Sequence, residues 1–161
     1  MGCGRPVPAE CIKEGGRRLK LIVIDGQGGG VGKSLVAAIK QLAPSQPVIA
    51  LGTNVQATAA MLRAGADAGA TGESAIRYQC KTAGVIVGVT GILHANAMMG
   101  EISPGIAAAV SLSEAQKVLV PLERCGLRIA GVGRQPLDSL IREAARMAID
   151  ATQSIQEETK P

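Results

Sequence analysis

The residue types best suited to chemistry in this sequence lie together in one glycine-rich segment, residues 25–34. Half of this segment is glycine, and it ends in a lysine and a serine. Because glycine has no Cβ, a phosphate group can closely approach the backbone N–H groups of such a loop. The segment therefore predicts a loop that binds the phosphate of a small molecule. The alternative is a tight strand–helix turn that packs against Gly52 or Gly88. The expected ligand-contacting residues are Asp25, Gly26, Gln27, Gly28, Gly29, Gly30, Val31, Gly32, Lys33 and Ser34.

One template for such a loop is the P-loop of ATPases and GTPases, G-x-x-x-x-G-K-[ST]. Residues 32–34 match its end, but Gln27 stands where its first glycine should be. A P-loop enzyme also uses an aspartate at the end of another apolar strand to hold magnesium. Asp67, Asp138 and Asp150 do not follow such strands. A P-loop-like ATPase or GTPase is therefore kept as an alternative function.

A second template is the dinucleotide-binding turn of short-chain dehydrogenases, G-x-x-x-G-x-G, which Gly26, Gly30 and Gly32 match. The acidic residue expected about 20 residues further on, where it would bind the ribose, is missing. Thr53 and Asn54 follow the second predicted strand instead, and both are expected to contact the sugar or a phosphate. The cofactor stays open between NAD(P) and another nucleotide, and so does the question of catalysis.

Residues 90–101 form a second polar cluster at the end of a long stretch without charge. His94 is a candidate general acid or base, and Glu101 is a candidate partner for it or a ribose ligand. Thr90 and Asn96 are expected to line the ligand site from the same loop. The alternative is structural: a hydrogen-bonded, half-buried histidine and a glutamate that caps the next helix.

The elements around these two segments must bring them together. Short apolar runs predict five strands, at residues 21–24, 48–51, 85–89, 118–120 and 127–130. Helical patterns follow most of these runs, and the small-residue segment 65–73 is expected to be a loop that acts as a lid or a subunit contact. Strands that alternate with helices indicate a parallel sheet with helices on both faces. The predicted fold class is α/β, a three-layer sandwich with a parallel, about five-stranded Rossmann-like or flavodoxin-like sheet.

Length and composition predict a single folded domain. The 161-residue chain is 47% hydrophobic and 19% charged, which excludes a disordered protein. Residues 1–18 are expected to be a flexible basic arm, residues 19–150 a single Rossmann-like domain, and residues 151–161 a frayed C-terminal tail. Tyr78 is the single aromatic residue, which argues against binding of nucleic acid by base stacking.

Cysteine usage and the N-terminal residues indicate a cytoplasmic protein. The four cysteines form no C-x-x-C pair and the chain has one histidine, so no metal site is predicted. Residues 1–20 lack the apolar core of a secretory signal. Proline, asparagine and glycine interrupt the uncharged stretches 43–62 and 82–100, so these are interpreted as buried strands with loops and no membrane association is expected.

The expected partner is a small molecule that bears phosphate, with no role for nucleic acid. A further alternative is a non-catalytic interaction module that forms a homo-oligomer. Its contact face would include Met98, Met99 and the stretch from Ala107 to Val110.

Five segments form a pattern in order along the chain: residues 24–33, 50–54, 64–66, 69–73 and 100–104. Together they resemble an uncharacterised bacterial family, domain of unknown function 3842. The resemblance covers about residues 20–148 and implies a small Rossmann-like protein with no activity that can be transferred. Gln27 within the glycine-rich segment is part of the family's pattern, which further disfavours the P-loop enzyme.

Overall fold

A parallel five-stranded sheet lies at the centre of the computed structural model, which describes residues 20–123, 127–133 and 135–158. Its strands are β1 (Leu21–Asp25), β2 (Val48–Gly52), β3 (Ala68–Thr71), β4 (Val85–Val89) and β5 (Gln116–Val120). Every residue of β1, β2 and β4 is buried. Such burial is expected of strands that have a helical layer on both faces.

Helices follow the strands and form the two outer layers. They are α1 (Gly30–Leu42), α2 (Val55–Arg63), α3 (Glu73–Cys80), α4 (Pro104–Leu112) and α5 (Leu137–Glu158), together with a short 3-10 helix (Thr90–Leu93). α1 packs against α2 and α5, whereas α3 packs against α4. Because crossovers between parallel strands are right-handed, these two groups lie on opposite faces of the sheet. The predicted three-layer α/β sandwich is therefore confirmed.

The strand order β3-β2-β1-β4-β5 decides between the two sheet types expected from the sequence. A Rossmann sheet has the order 3-2-1-4-5, whereas a flavodoxin sheet begins 2-1-3. The protein therefore has a Rossmann-like fold. The chain moves outward from β1 to β2 and β3 and then returns to pair β4 with the other side of β1. Ligands of such folds bind in the crevice at this reversal, next to the carboxyl ends of β1 and β4.

Two parts of the sequence-based strand assignment are wrong. Residues 68–71, expected to be a loop, form β3 and pair in parallel with β2. Residues 127–130, expected to be the fifth strand, are not part of the sheet. The remaining four strands lie where the apolar runs placed them: β1, β2 and β4 are buried throughout, and β5 buries Val118 and Val120.

The C-terminal helix passes the domain boundary that the sequence placed at residue 150. α5 continues to Glu158, and Ala151 and Thr152 in this part are buried, so the packed structure extends past residue 150. The predicted N-terminal arm and residues 159–161 lie outside the described residues. Tyr78 projects from α3 with 64% of its surface exposed. Within the described ranges, no helix has the length and apolar character needed to cross a bilayer.

Candidate functional site

A cavity of about 450 Å³ opens at the crevice between the carboxyl ends of β1 and β4. It is bounded by the glycine-rich loop, the loop after β4, the segment after β5 and the first turns of α5. Its lining residues are Asp25, Gly26, Gln27, Gly28, Gly29, Gly30, Val31, Ser34, Val89, Gly91, His94, Ala97, Met98, Met99, Leu122, Leu127, Leu137, Asp138 and Ile141. The cavity therefore lies where ligands of Rossmann-like folds bind.

The buried carboxylate of Asp25 holds the glycine-rich loop in shape. Its Oδ1 accepts a hydrogen bond from the N–H of Gly26 at 2.8 Å, and its Oδ2 accepts one from the N–H of Gly32 at 2.6 Å. Burial raises the pKa of this carboxyl; the two backbone hydrogen bonds oppose the increase, and the nearby charge of Glu101 adds to it. Asp25 therefore connects the end of β1 to the first turn of α1.

The five glycines of the loop have different surroundings. A Cβ on Gly32 would lie 2.6 Å from the Cβ of Asp25, and one on Gly29 would lie 2.7 Å from the Cα of Ala57. These glycines are required because the protein packs closely against them. A Cβ on Gly28 or Gly30 would meet no atom within 4 Å. The open side of the loop is thus formed by Gly28 and Gly30, and both line the cavity.

The first backbone N–H groups of α1 lie at this open side. α1 begins at Gly30, so the N–H groups of Gly30 and Val31 have no acceptor within the helix. They carry the partial positive charge of a helix N-terminus, which favours an anion. Gly30 and Val31 both line the cavity, so a ligand in the cavity lies within reach of these donors.

Glu101 connects three segments that are distant in the sequence. Its Oε2 accepts hydrogen bonds from the backbone N–H of Gln27 at 2.7 Å, from the Asn54 amide at 3.0 Å and from the Thr53 hydroxyl. Burial acts to raise the pKa of Glu101, but these donors outweigh it, so the pKa is lowered. The carboxylate thereby joins the glycine-rich loop to the residues after β2. Gln27, at φ 48°, is held in a left-handed conformation beside it.

The two polar residues after β2 make bonds within the protein. Asn54 caps α2, with its Oδ1 accepting from the N–H of Ala57 at 2.9 Å. Its amide nitrogen donates to the Gln27 carbonyl at 2.9 Å and also to Glu101. Neither Thr53 nor Asn54 lines the cavity. The cap signal was present in the sequence, since asparagine directly before a helix is a preferred N-cap.

The other site residues expected from the sequence divide into those that line the cavity and those that do not. Ser34 lines the cavity, and its hydroxyl donates to the carbonyl of Gly30 at 3.0 Å. Lys33 is exposed and does not line the cavity, and the same holds for Asn96. The Thr90 hydroxyl is bonded to the backbone of Leu122, donating to its carbonyl at 3.1 Å and accepting from its N–H at 3.2 Å. Thr90 therefore connects β4 to the segment after β5.

His94 and Glu101 are not arranged as a catalytic pair. His94 is exposed and lines the cavity, whereas Glu101 does not line it and is bonded to Gln27, Thr53 and Asn54 instead. Among the described residues, no group of three or more His, Cys, Asp or Glu side chains could hold a metal ion.

Three apolar side chains of the cavity wall were not expected from the sequence. One is Leu127, within the run expected to be the fifth strand, and the others are Leu137 and Ile141 at the start of α5. Site residues were expected in the loops at the carboxyl ends of the strands, and the start of the helix that follows the last strand was not among them. The available signal was the Pro136 before α5, which marks a helix N-terminus near the same edge of the sheet.

The expected contact face of an oligomer is only partly at the surface. Ala107 and Val110 face the core, so they are not available to a partner. Met99 is 94% exposed, while Met98 is half-buried, and both line the cavity. Part of the expected face is therefore buried, and homo-oligomerisation stays a prediction.

A family model described as Domain of unknown function (DUF3842) matches residues 20–153 of the chain. The match spans the sheet, the glycine-rich loop, the Glu101 loop and most of α5. No curated protein and no solved structure matches the chain. The resemblance found in the sequence is confirmed, and the protein belongs to the DUF3842 family.

Proposed function

We propose that the protein binds a phosphate-bearing small molecule, with nucleotides as the leading class, in the cavity between the glycine-rich loop and α5. The observation that carries this proposal is the division of one cavity into two different halves. One half consists of open glycine backbone at the start of α1. The other consists mainly of apolar side chains, with His94 and Asp138 beside them. A ligand that fits both halves has an anionic group at one end and an apolar or aromatic group at the other.

Backbone donors support the assignment of phosphate to the glycine half. The N–H groups of Gly30 and Val31 face no acceptor within α1, and Gly28 and Gly30 leave room for close approach. Asp25 accepts the hydrogen bond of the Gly32 N–H, which leaves the N–H groups of Gly30 and Val31 for a ligand. Phosphate oxygens would accept from them in the geometry that helix N-termini offer to anions.

The apolar half suits a flat ring. It is formed by Met98, Met99, Leu122, Leu127 and Leu137 among others. Methionine sulfur makes favourable contacts with aromatic rings, and its flexible chain adapts to their shape. The cavity volume of about 450 Å³ falls within the range of about 300–1,000 Å³ that small-molecule sites occupy.

The P-loop alternative receives less support from the geometry. A P-loop enzyme uses its lysine on the phosphates, but here Lys33 is exposed and outside the cavity. The backbone donors of the loop are therefore the main candidates for phosphate contacts. Whether the bound molecule also reacts is left open, since His94 is the sole cavity-lining histidine of the chain and has no partner carboxylate in Glu101.

A thermal-shift panel tests the proposal directly. The ligands are NAD, NADP, ATP, GTP, ADP and AMP, each with and without magnesium, together with inorganic phosphate. A ligand present at a hundred times its Kd stabilises the folded state by about 2.7 kcal/mol, which raises Tm by several degrees. We expect a magnesium-independent shift with at least one nucleotide. A shift only with triphosphates and magnesium supports the P-loop alternative, and no shift with any ligand contradicts nucleotide binding.

Gly30→Leu tests whether the cavity is the site. Its side chain starts in open space, so the fold should tolerate it while the leucine fills the place of the phosphate. We expect the ligand-induced shift to fall by more than half. Lys33→Ala is the matched control, because Lys33 lies in the same turn but outside the cavity. Equal shifts for wild type and Gly30→Leu would place the ligand elsewhere.

A further inference from the structure

We propose that Glu101 determines the size of the ligand by closing the β2 side of the crevice, so that the site accepts a single nucleotide and excludes a dinucleotide. This inference rests on the proposed binding of a phosphate-bearing molecule in the cavity. It narrows that proposal to mononucleotides and phosphate esters of similar size.

A dinucleotide needs space on both sides of β1. In Rossmann folds one half of the dinucleotide lies toward β2, where a polar residue binds its ribose, and the other half lies toward β4. The pyrophosphate between them lies on the turn, where the second glycine of the motif, here Gly30, permits a close approach. The passage from the turn to the end of β2 must therefore be open.

The surface above the first glycine of the turn is occupied by side chains. A Cβ on Gly26 would lie 2.7 Å from the Thr53 hydroxyl, 2.8 Å from Glu101 Oε2 and 2.8 Å from the Met98 sulfur. These three atoms come from the end of β2 and from the loop after β4. They fill the passage from the turn to the end of β2, so a ligand on the turn cannot extend past Gly26 in that direction.

The groups that would bind a ribose at the end of β2 are engaged with Glu101 itself. The Thr53 hydroxyl and the Asn54 amide both donate to its Oε2, which also accepts from the N–H of Gln27. None of residues 52–54 lines the cavity. Glu101 thus takes the donors that the ligand would need and blocks the path toward them.

The remaining open side lies toward α5. Gly28 and Gly30 have free space above them, and Leu137 and Ile141 form the opposite wall of the cavity. A phosphate on the start of α1 can therefore extend its ester group toward β4 and α5, but not toward β2. This direction leaves room for one nucleotide unit.

Isothermal titration of the full-length chain with AMP, nicotinamide mononucleotide and NAD tests this inference, because NAD joins the two mononucleotides. For wild type we expect at least one mononucleotide to bind about tenfold more tightly than NAD. In Glu101→Ala, which opens the β2 side, that difference should fall to about threefold or less. In Glu101→Gln, which keeps the bulk of the side chain, it should persist.

Thr53→Ala provides a second variant that loosens the same contact from the β2 side, in case Glu101→Ala does not fold. Lys33→Ala, outside the cavity, should keep the wild-type ratio. The inference is overturned if wild type binds NAD as tightly as the mononucleotides, or if neither opening variant changes the ratio; the proposed function survives both results. If neither mononucleotide nor NAD binds to wild type, nucleotide binding in the cavity is itself contradicted.

Discussion

At the scale of single residues, two carboxylates hold the glycine-rich loop and respond to pH in opposite directions. Asp25 is 5% exposed, and its burial raises its pKa. Glu101 is more accessible, and its three donors lower its pKa despite partial burial. The difference arises because burial opposes ionisation, whereas hydrogen-bond donors favour it.

Asp25→Asn should destabilise the protein. The asparagine amide places an NH₂ group against one of the two backbone N–H donors, so one hydrogen bond is lost and a buried donor is left unpaired. We expect a decrease of about 1–3 kcal/mol in the free energy of unfolding, measured by urea denaturation followed by circular dichroism.

The pH dependence of this loss of stability checks whether the pKa of Asp25 is raised or lowered by folding. Because that pKa is higher in the folded than in the unfolded protein, the folded protein binds more protons between the two values, and its stability falls as pH rises through this interval. The difference between wild type and Asp25→Asn should therefore be largest at acid pH and decrease as pH rises. A difference that grows with pH would show that the pKa is lowered instead.

Glu101→Gln should show the reverse dependence. The pKa of Glu101 is lower in the folded protein, so its stabilising effect is present above the unfolded pKa and is lost as pH falls through the folded one. We expect wild type to exceed Glu101→Gln in stability at neutral pH and the two to converge on acidification. The same denaturation series from about pH 3 to about pH 7 measures this; a constant difference would contradict it.

At the scale of elements, the first turn of α1 distinguishes glycines that serve the fold from glycines that leave room for a ligand. Gly32 packs against Asp25 and Met61, with a Cβ there only 2.6–2.8 Å from their atoms. Gly30, at the start of the same turn, faces open space. Alanine has a higher helix propensity than glycine, so packing alone decides whether the substitution is tolerated.

The substitutions Gly30→Ala and Gly32→Ala therefore form a matched pair. We expect Gly30→Ala to raise the free energy of unfolding by up to about 1 kcal/mol, since it reduces the entropy of the unfolded chain. Gly32→Ala should lower it by about 1–3 kcal/mol through overpacking. Thermal denaturation of both variants measures the difference, and equal effects would show that the two glycines have the same role.

The strands also show which parts of the fold could be predicted from the sequence and which could not. β1, β2 and β4 were predictable because their apolar runs are buried on both faces. β3 was missed because Ala68–Thr71 is an edge strand of small, partly exposed residues, and its pairing with β2 makes it a strand. The apolar run at 127–130 resembles a strand, but Leu127 lines the cavity instead. Tertiary contacts override local preference in both cases.

At the scale of the whole molecule, stability is expected to be concentrated in the centre of the sheet. β1 is hydrogen-bonded to β2 on one side and to β4 on the other, and all three strands are buried. β3 lies at an edge, is paired on one side, and alternates between partly buried and exposed residues. Such edges open locally at a lower free-energy cost than the core.

Hydrogen exchange measured by mass spectrometry should follow this arrangement. We expect the amides of β1 and β4 to exchange only through global unfolding, and those of β3 to exchange through local opening at a higher rate. A destabilising concentration of urea should accelerate β1 and β4 strongly and β3 weakly. Equal rates for β3 and β1 would contradict a sheet whose stability declines toward its edge.

The site as a whole was predictable only in part. The glycine-rich loop could be identified because its pattern consists of consecutive residues. The loop of Glu101 was expected beside it, but the hydrogen bond from Gln27 to Glu101 was not. The two residues are 74 positions apart, and their contact depends on how the loop after β4 folds back over β1. That loop holds Asn96, Met98 and Met99 at φ values of 55–66°. Few residues with side chains prefer this left-handed conformation, and the residue types of the loop do not predict it.

The exposed position of Tyr78 on α3 has a practical optical consequence. It is the only aromatic side chain in the chain, and it neither lies in the core nor lines the cavity. Unfolding will therefore change the near-ultraviolet signal of the protein very little. By the same reasoning, a fluorescent nucleotide analogue would report its own environment in the cavity almost free of background from the protein.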